Sequence, residues 1–348
     1  MIIIGGGIAG LSLGWQLAKR GQPVTLYEAG RIGRGASHAA AGYLQPALPP
    51  SPDVALEMAS LAAFPAFIAE VESDTGLDTD FRRDGQLRIA YPGQESELFA
   101  DAAARRNAGW QVDTLTGDEA RSLEPALSPE IAAATFLPQV VWVDGRKLCA
   151  ALAQGIRHHG GEVIENTPVT EITHENNRIT GIRTARGHHP AERVALCAGH
   201  TFDRIKGLPA HMPASIPVRG VILTLGMPEP LITRLIKRPD GILCPRSDGR
   251  LIVGVTKVPG DMRPYPDAGS VLDLLSGAFR AAPALRDLPF IEAVHGFRPY
   301  LPDETMLNGP DPEISGLFHA LGHAADGYLR AAAVSEQVAT AMVGSSKT

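Results

Sequence analysis

Three cysteines in 348 residues are too few for a disulfide framework, and Cys149, Cys197 and Cys244 form no C-x-x-C pair. That argues against a disulfide-stapled fold and fits a reducing, cytoplasmic setting. Aromatic residues are scarce at 5%, which counts against an aromatic-filled β-sandwich. Basic tracts are short and the formal charge is −6, so the chain lacks the electrostatic footprint of a dedicated nucleic-acid binder. Uninterrupted apolar runs are missing too. The most apolar long window, Val54 to Val71, contains Glu57, Pro65 and Glu70 and is not expected to span a bilayer. The opening Met1-Ile2-Ile3-Ile4 carries no basic segment or cleavage site, so no signal peptide is expected there. The pairs His158-His159 and His188-His189 adjoin glycine or proline and are expected in exposed loops. Chain neighbours point apart, so no metal site is expected from them.

What is abundant is glycine, with 37 residues, and proline, with 28, on an otherwise ordinary soluble composition. A chain of this length has room for about two domains at roughly 150 residues each. Ile2 to Ile4 is a short β-branched run that predicts a buried parallel strand. It leads into Gly5-Gly6-Gly7-Ile8-Ala9-Gly10, then a helical pattern from Leu11 to Ala18, then a second strand over Pro23–Tyr27 ending at Glu28. In a βαβ unit of this kind Gly5 permits the tight turn, Gly7 lets the backbone approach a pyrophosphate, and Gly10 lets helix and strand pack closely. The helix N-terminus offers free N–H groups to phosphate, and Glu28 is placed to accept from ribose hydroxyls. The next segment, Arg31 to Pro46, is rich in Gly, Ala and Ser, which would let its backbone and Ser37 approach a large cofactor or would form a flexible surface loop.

Further along, 145–159 has a helical pattern, 162–164, 179–182 and 192–197 strand-like ones. Between them, strand-like runs occur at 86–90, 110–116, 134–143, 216–225 and 242–256, with a helix near 271–281. The pattern predicts an α/β fold: a Rossmann-type nucleotide-binding domain, discontinuous over 1–80, 145–210 and 293–348. An antiparallel β-sheet substrate domain is inserted over 81–144 and 211–292.

Ser37-His38-Ala39-Ala40-Ala41-Gly42-Tyr43-Leu44 resembles the flavin-contacting loop of the glycine oxidase, D-amino-acid oxidase and sarcosine oxidase family. The resemblance continues through Asp84–Ala90, Asn166–Val169, Cys197-Ala198-Gly199-His200, Ile216–Gly220 and Pro245–Thr256. It ends with Gly296-Phe297-Arg298-Pro299 and Gly322–Gly327. It implies a FAD-dependent oxidation of a small amine or amino acid to an imine by hydride transfer to the flavin. Hydrolysis to a carbonyl compound and ammonia or amine follows, and O2 or another acceptor takes the electrons. By the same resemblance, Gly5, Gly7, Ile8, Ala9, Gly10, Glu28, Ala29, Arg34, Ser37, Ala40, Ala41, Gly42 and Leu44 belong to the cofactor site. So do Val169, Ala198, Gly199, Arg298, Ala325, Asp326, Gly327, Tyr328 and Leu329. Arg298 is the expected carboxylate-binding residue, with Tyr43 and Lys257 as further substrate-side residues.

Two positions depart from the family. Its glycine oxidase has a tyrosine before the Pro-Arg pair where this chain has Ile242-Leu243-Cys244-Pro245, and an arginine where this chain has Ala325. Each lost charge-assisted partner is worth about 1.5–3 kcal/mol, which points away from glycine as the substrate. Arg330, a helical turn further on, would compensate only if its face of the helix turns inward. Two other readings stay open at this stage: a flavin-bearing subunit of a multi-subunit amine dehydrogenase, and a homo-oligomer.

Overall fold

The computed structural model describes residues 1–344. Ile2–Ile4 is a fully buried strand paired in parallel with Thr25–Tyr27 on one side and Val194–Leu196 on the other. The helix that follows starts at Ile8, three residues earlier than the apolar spacing suggested, and ends at Ala18. Gly10 lies so close to the preceding strand that a Cβ there would fall 2.0 Å from the Gly5 carbonyl oxygen. Leu317–Leu321 and Glu162–Ile164 extend the sheet in parallel, and Leu307–Pro310 closes its edge antiparallel, giving six strands. The helices Ile8–Ala18, Gly145–His158 and Gly327–Gly344 share one apolar core with this sheet.

Pro65 does not break the helix that contains it. Val54–Thr75 is one continuous 22-residue helix that runs through the proline. By length and composition it is apolar enough to cross a membrane, with 33% of its most apolar window buried. Phe64, Phe67, Ile68 and Val71 are buried in the same core as the first and last helices. That packing offsets an interior-proline cost of about 3 kcal/mol.

The second sheet has nine strands. One end of it is the long antiparallel pair Ile216–Gly226 and Phe290–Tyr300. Arg250–Gly254, Gly241–Pro245, Leu235–Arg238, Gln86–Ala90, Ala133–Leu137 and Asp113–Thr116 continue it outward. The expected purely antiparallel order fails at one junction, where Leu235–Lys237 runs parallel to Gln86–Arg88. These strands come from two separate excursions of the chain, so no hairpin dictates their relative direction. The helix Ala268–Ala281 covers the sheet and completes a second apolar core.

His188 and His189 are in a strand, Gly187–Pro190, rather than a loop. The ring nitrogens of His189 lie 3.1 Å from Tyr27 Oη and 2.9 Å from Thr184 Oγ1, and His159 Nε2 lies 2.7 Å from Asp74.

Candidate active site

A cavity of about 870 Å3 opens at the carboxyl ends of Ile2–Ile4 and Val194–Leu196 and reaches the Phe290–Tyr300 strand of the large sheet. This is where open α/β sheets bind ligands, and the volume suits a large cofactor.

Gly5, Gly6 and Gly7 line its floor. Gly7 caps the first helix with no side-chain hydrogen bond. Of the first-turn amides, that of Ile8 donates to Ser37 Oγ at 3.0 Å. At the end of the second strand, Glu28 accepts from the Gly6 and Gly30 N–H groups at 2.7 Å each, one on each oxygen. These bonds fix the carboxylate at the cavity wall while leaving each oxygen a second lone pair. A Cβ at Gly7 would crowd Ser37 Oγ at 3.3 Å, so the cradle needs glycine where a phosphate must approach. A bare helix N-terminus, a held carboxylate and a glycine floor fit the pyrophosphate and ribose of a dinucleotide. Ala29 lies beside Glu28, and Pro168, Val169, Ala198 and Gly199 also line the cavity.

The small-residue loop lines the next stretch with Arg34, Ser37, Ala40, Ala41, Gly42 and Tyr43. Two side chains brace it. Arg246, 5% exposed, donates from Nη2 to the Ala41 carbonyl at 2.6 Å and from Nη1 to the Val143 carbonyl at 3.1 Å. Tyr328 donates its hydroxyl to the Ser37 carbonyl at 2.9 Å. Gly145 makes room for that ring, since a Cβ there would fall 2.3 Å from Tyr328 Oη. Burial, reinforced by Arg146 and Arg34, pushes the His38 imidazole down to about 4, so it is neutral beside Arg34.

Arg298 enters from the large sheet. Its Nη2 donates to the Thr256 carbonyl at 3.1 Å, and its Nη1 is buried with no protein partner. Burial draws the guanidinium below the ordinary arginine value, but a group of this kind stays cationic. Burial raises the Tyr43 phenol, so it is neutral and able to donate. Asp326, at the mouth of the last helix, is pushed up to about 6 by burial, with Glu57 and Asp53 adding to the shift and Arg330 and Arg298 opposing it. Its one ion-pair partner among the described residues is Arg330, at 3.7 Å. A carboxyl group raised in the folded state contributes most stability below its unfolded value and loses it as pH rises through about 6. Asp326→Asn is therefore expected to raise the melting temperature at pH 8 and leave it nearly unchanged at pH 4, read by thermal denaturation at both values.

Several sequence-assigned residues lie elsewhere. Leu44 and Leu329 are buried in the apolar core and outside the cavity wall. Tyr43–Leu44 is a two-residue strand, so its side chains point to opposite faces and only Tyr43 meets the cavity. Gly10 is used for packing and does not line the cavity. Lys257 is exposed, with its ammonium 5.1 Å from the centre of the Tyr300 ring, two residues past Val255, which lines the cavity. Arg330 faces the helix Val54–Thr75, where Glu57 and Asp53 hold it at 2.6 and 2.9 Å. It cannot stand in for the arginine absent at Ala325. Ile242 is 1% exposed in an apolar cluster and does not line the cavity. The structure adds Phe297 and His323 to the wall. Burial takes the His323 imidazole down to about 3, and its Nε2 lies 2.8 Å from Asn308 Oδ1, which marks it as neutral and structural.

Comparison with known proteins agrees with this geometry. The profile described as FAD dependent oxidoreductase matches residues 1–341. The chain is 32% identical over 333 residues to a glycine oxidase of Geobacillus kaustophilus, covering 94% of this chain and 88% of the relative. It is 31% identical to a glycine oxidase of Bacillus licheniformis, over 99% and 92% of the two chains. A glycine oxidase structure from Bacillus cereus superposes with a TM-score of 0.93 at 28% identity, covering 99% of this chain and 95% of that one. With its glycine cradle, its held Glu28 and this likeness along its length, the chain belongs to the FAD-dependent oxidoreductases and is an enzyme whose cofactor is FAD.

Proposed function

We propose that the enzyme oxidises a small amino acid or carboxylate-bearing amine at its C–N bond to an imine, which water converts to a carbonyl compound and ammonia or an amine. The observation that carries this reading is Arg298, a buried cation on the cavity wall with Nη1 unpartnered. A carboxylate is the ligand best matched to it, through charge-assisted bonds. The names of the relatives support an amino-acid substrate.

Bound FAD supplies the two-electron acceptor, and the protein supplies position. Arg298 would hold the carboxylate, while Tyr43 and Phe297 bound the space beside it. Gly327 begins the last helix at the cavity wall, so its end presents the positive pole of the helix dipole. Asp326 adds a carboxylate beside that pole, negative above pH about 6. No side chain is required as a base if the amine enters neutral, so binding and orientation are the protein's main contribution.

The substrate in this reading is not glycine. Ala325 is an exposed methyl at the cavity wall, so Arg298 is left as the one arginine at this end of the cavity. A larger or N-substituted amino acid gains contacts there that glycine cannot make. Three free, buried cysteines support the cytoplasmic setting proposed with it. Anaerobic mixing of the holoenzyme with glycine, N-methylglycine, D-alanine, proline and simple alkylamines tests the reading. The flavin absorbance should bleach fastest with a carboxylate-bearing amine other than glycine. Bleaching by alkylamines alone would overturn it. Peroxide release, compared with dye reduction, then separates oxygen from other electron acceptors.

A further inference from the structure

We propose that two glycines facing each other across the long antiparallel strand pair, Gly220 and Gly296, form a floor on which Arg298 and the flavin loop rest. Gly220 is thus a positioning residue for carboxylate recognition. The inference stands on the assignment of Arg298 made above.

Ile216–Gly226 and Phe290–Tyr300 run antiparallel, with Gly220 opposite Gly296 and Val218 opposite Arg298. Opposite residues share a face, and so do residues two apart on one strand, so positions 218, 220, 296 and 298 all project the same way. Glycine inside a strand is a cost of roughly 0.5–1 kcal/mol relative to alanine. Neither glycine is among the residues of positive φ, so the backbone conformation does not demand them. Space does. A Cβ at Gly220 would fall 2.7 Å from Arg298 Nη1, 2.8 Å from Nη2 and 2.9 Å from Cζ. A Cβ at Gly296 would fall 2.7 Å from Ala39 Cβ and 3.3 Å from Ala36 Cα. The guanidinium therefore folds back diagonally across the bare backbone at Gly220. The loop bearing Ala36 and Ala39, which both line the cavity, settles on the bare backbone at Gly296.

The two positions do different things. With the guanidinium flat on the floor, Nη2 reaches the Thr256 carbonyl and Nη1 is left for a ligand. A methyl at Gly220 forces the guanidinium back by about 1 Å to reach an ordinary carbon contact distance. That moves Nη1 out of line for a charge-assisted hydrogen bond to a carboxylate. The clash is with the tip of a flexible side chain, so the fold and the bound flavin should survive. At Gly296 the clash is with the loop itself, so cofactor retention should suffer.

The test titrates acetate into FAD-loaded protein and follows the flavin absorbance, with acetamide as the uncharged control, in wild type, G220A, R298A, the G220A/R298A double variant and G296A. Gly220→Ala is expected to weaken acetate binding about tenfold with FAD content unchanged, the size of one impaired charge-assisted contact. It should add nothing in the Arg298→Ala background, because its whole effect passes through Arg298. Gly296→Ala is expected to release FAD more readily on dilution. Wild-type acetate affinity in G220A, with weakened affinity in R298A, overturns the inference while leaving the role of Arg298 intact. An equal loss from G220A in the double variant also overturns it, since the glycine would then act without the arginine. Wild-type affinity in R298A would remove the carboxylate assignment and the inference with it.

Discussion

Arg298→Ala is expected to raise the substrate KM by about ten- to a hundredfold, the loss of one charge-assisted hydrogen bond. FAD content should not change, because among the described residues the hydrogen-bond partner of this guanidinium is the Thr256 carbonyl. Removing it leaves the flavin loop and the glycine cradle untouched. Arg298→Lys keeps the charge but offers a point in place of a planar fork, so it should recover only part of the loss. Steady-state kinetics with the best substrate from the anaerobic screen, alongside the absorbance ratio of flavin to protein, measure both halves. Unchanged KM in Arg298→Ala would show that the carboxylate is held elsewhere.

Arg246→Ala should have an effect of comparable size on the cofactor instead. This side chain, 2% exposed, ties the flavin loop at Ala41 to the turn at Val143 ahead of the helix Gly145–His158. Its Nε also lies 3.9 Å from Asp144. Asp144 caps that helix by accepting from the Arg146 and Lys147 amides and pairs with Arg250. Deleting Arg246 takes a donor from the Val143 carbonyl and leaves the Ala41 carbonyl with the weak Cys244 thiol contact at 3.7 Å, a cost of about 1–3 kcal/mol for each carbonyl that stays dry. The loop must loosen to rewet them, so FAD affinity is expected to fall by about tenfold or more, with a lower melting temperature. Asp144 keeps Arg250, which should spare the helix from wholesale loss. Isothermal titration of FAD into apoprotein reads the change directly. Wild-type affinity would show that the loop holds its shape without the brace.

The sequence made the nucleotide half of the site readable because its requirements are local. A tight turn, a close approach and an acid at the end of the second strand sit within one βαβ unit, and spacing alone reports them. Arg298 was readable through its motif. What the sequence concealed depends on pairing across distance. That Tyr43 faces the cavity and Leu44 the core follows from pairing with Val141 and Trp142. The sequence left the direction of Arg330 open, and its capture by Glu57 and Asp53 depends on how the helix Val54–Thr75 packs against the last helix, far along the chain. Lys257 stands next to a residue whose carbonyl holds Arg298, and one step along the chain carries it to solvent. Arg246 was visible only as part of a motif, since its two acceptors lie about a hundred and two hundred residues away. Gly220 carried a signal of its own, a glycine inside a strand-like run, whose meaning appears once its opposite number is known.

The central claim is that one guanidinium in the FAD cavity receives the substrate's carboxylate. Diffraction from crystals of the holoenzyme grown with a non-oxidisable monocarboxylate tests it most directly. An oxygen of that ligand is expected within hydrogen-bonding distance of Arg298 Nη1, with Nη2 still on the Thr256 carbonyl. A carboxylate seated away from Arg298, or a guanidinium swung out of the cavity, would contradict it.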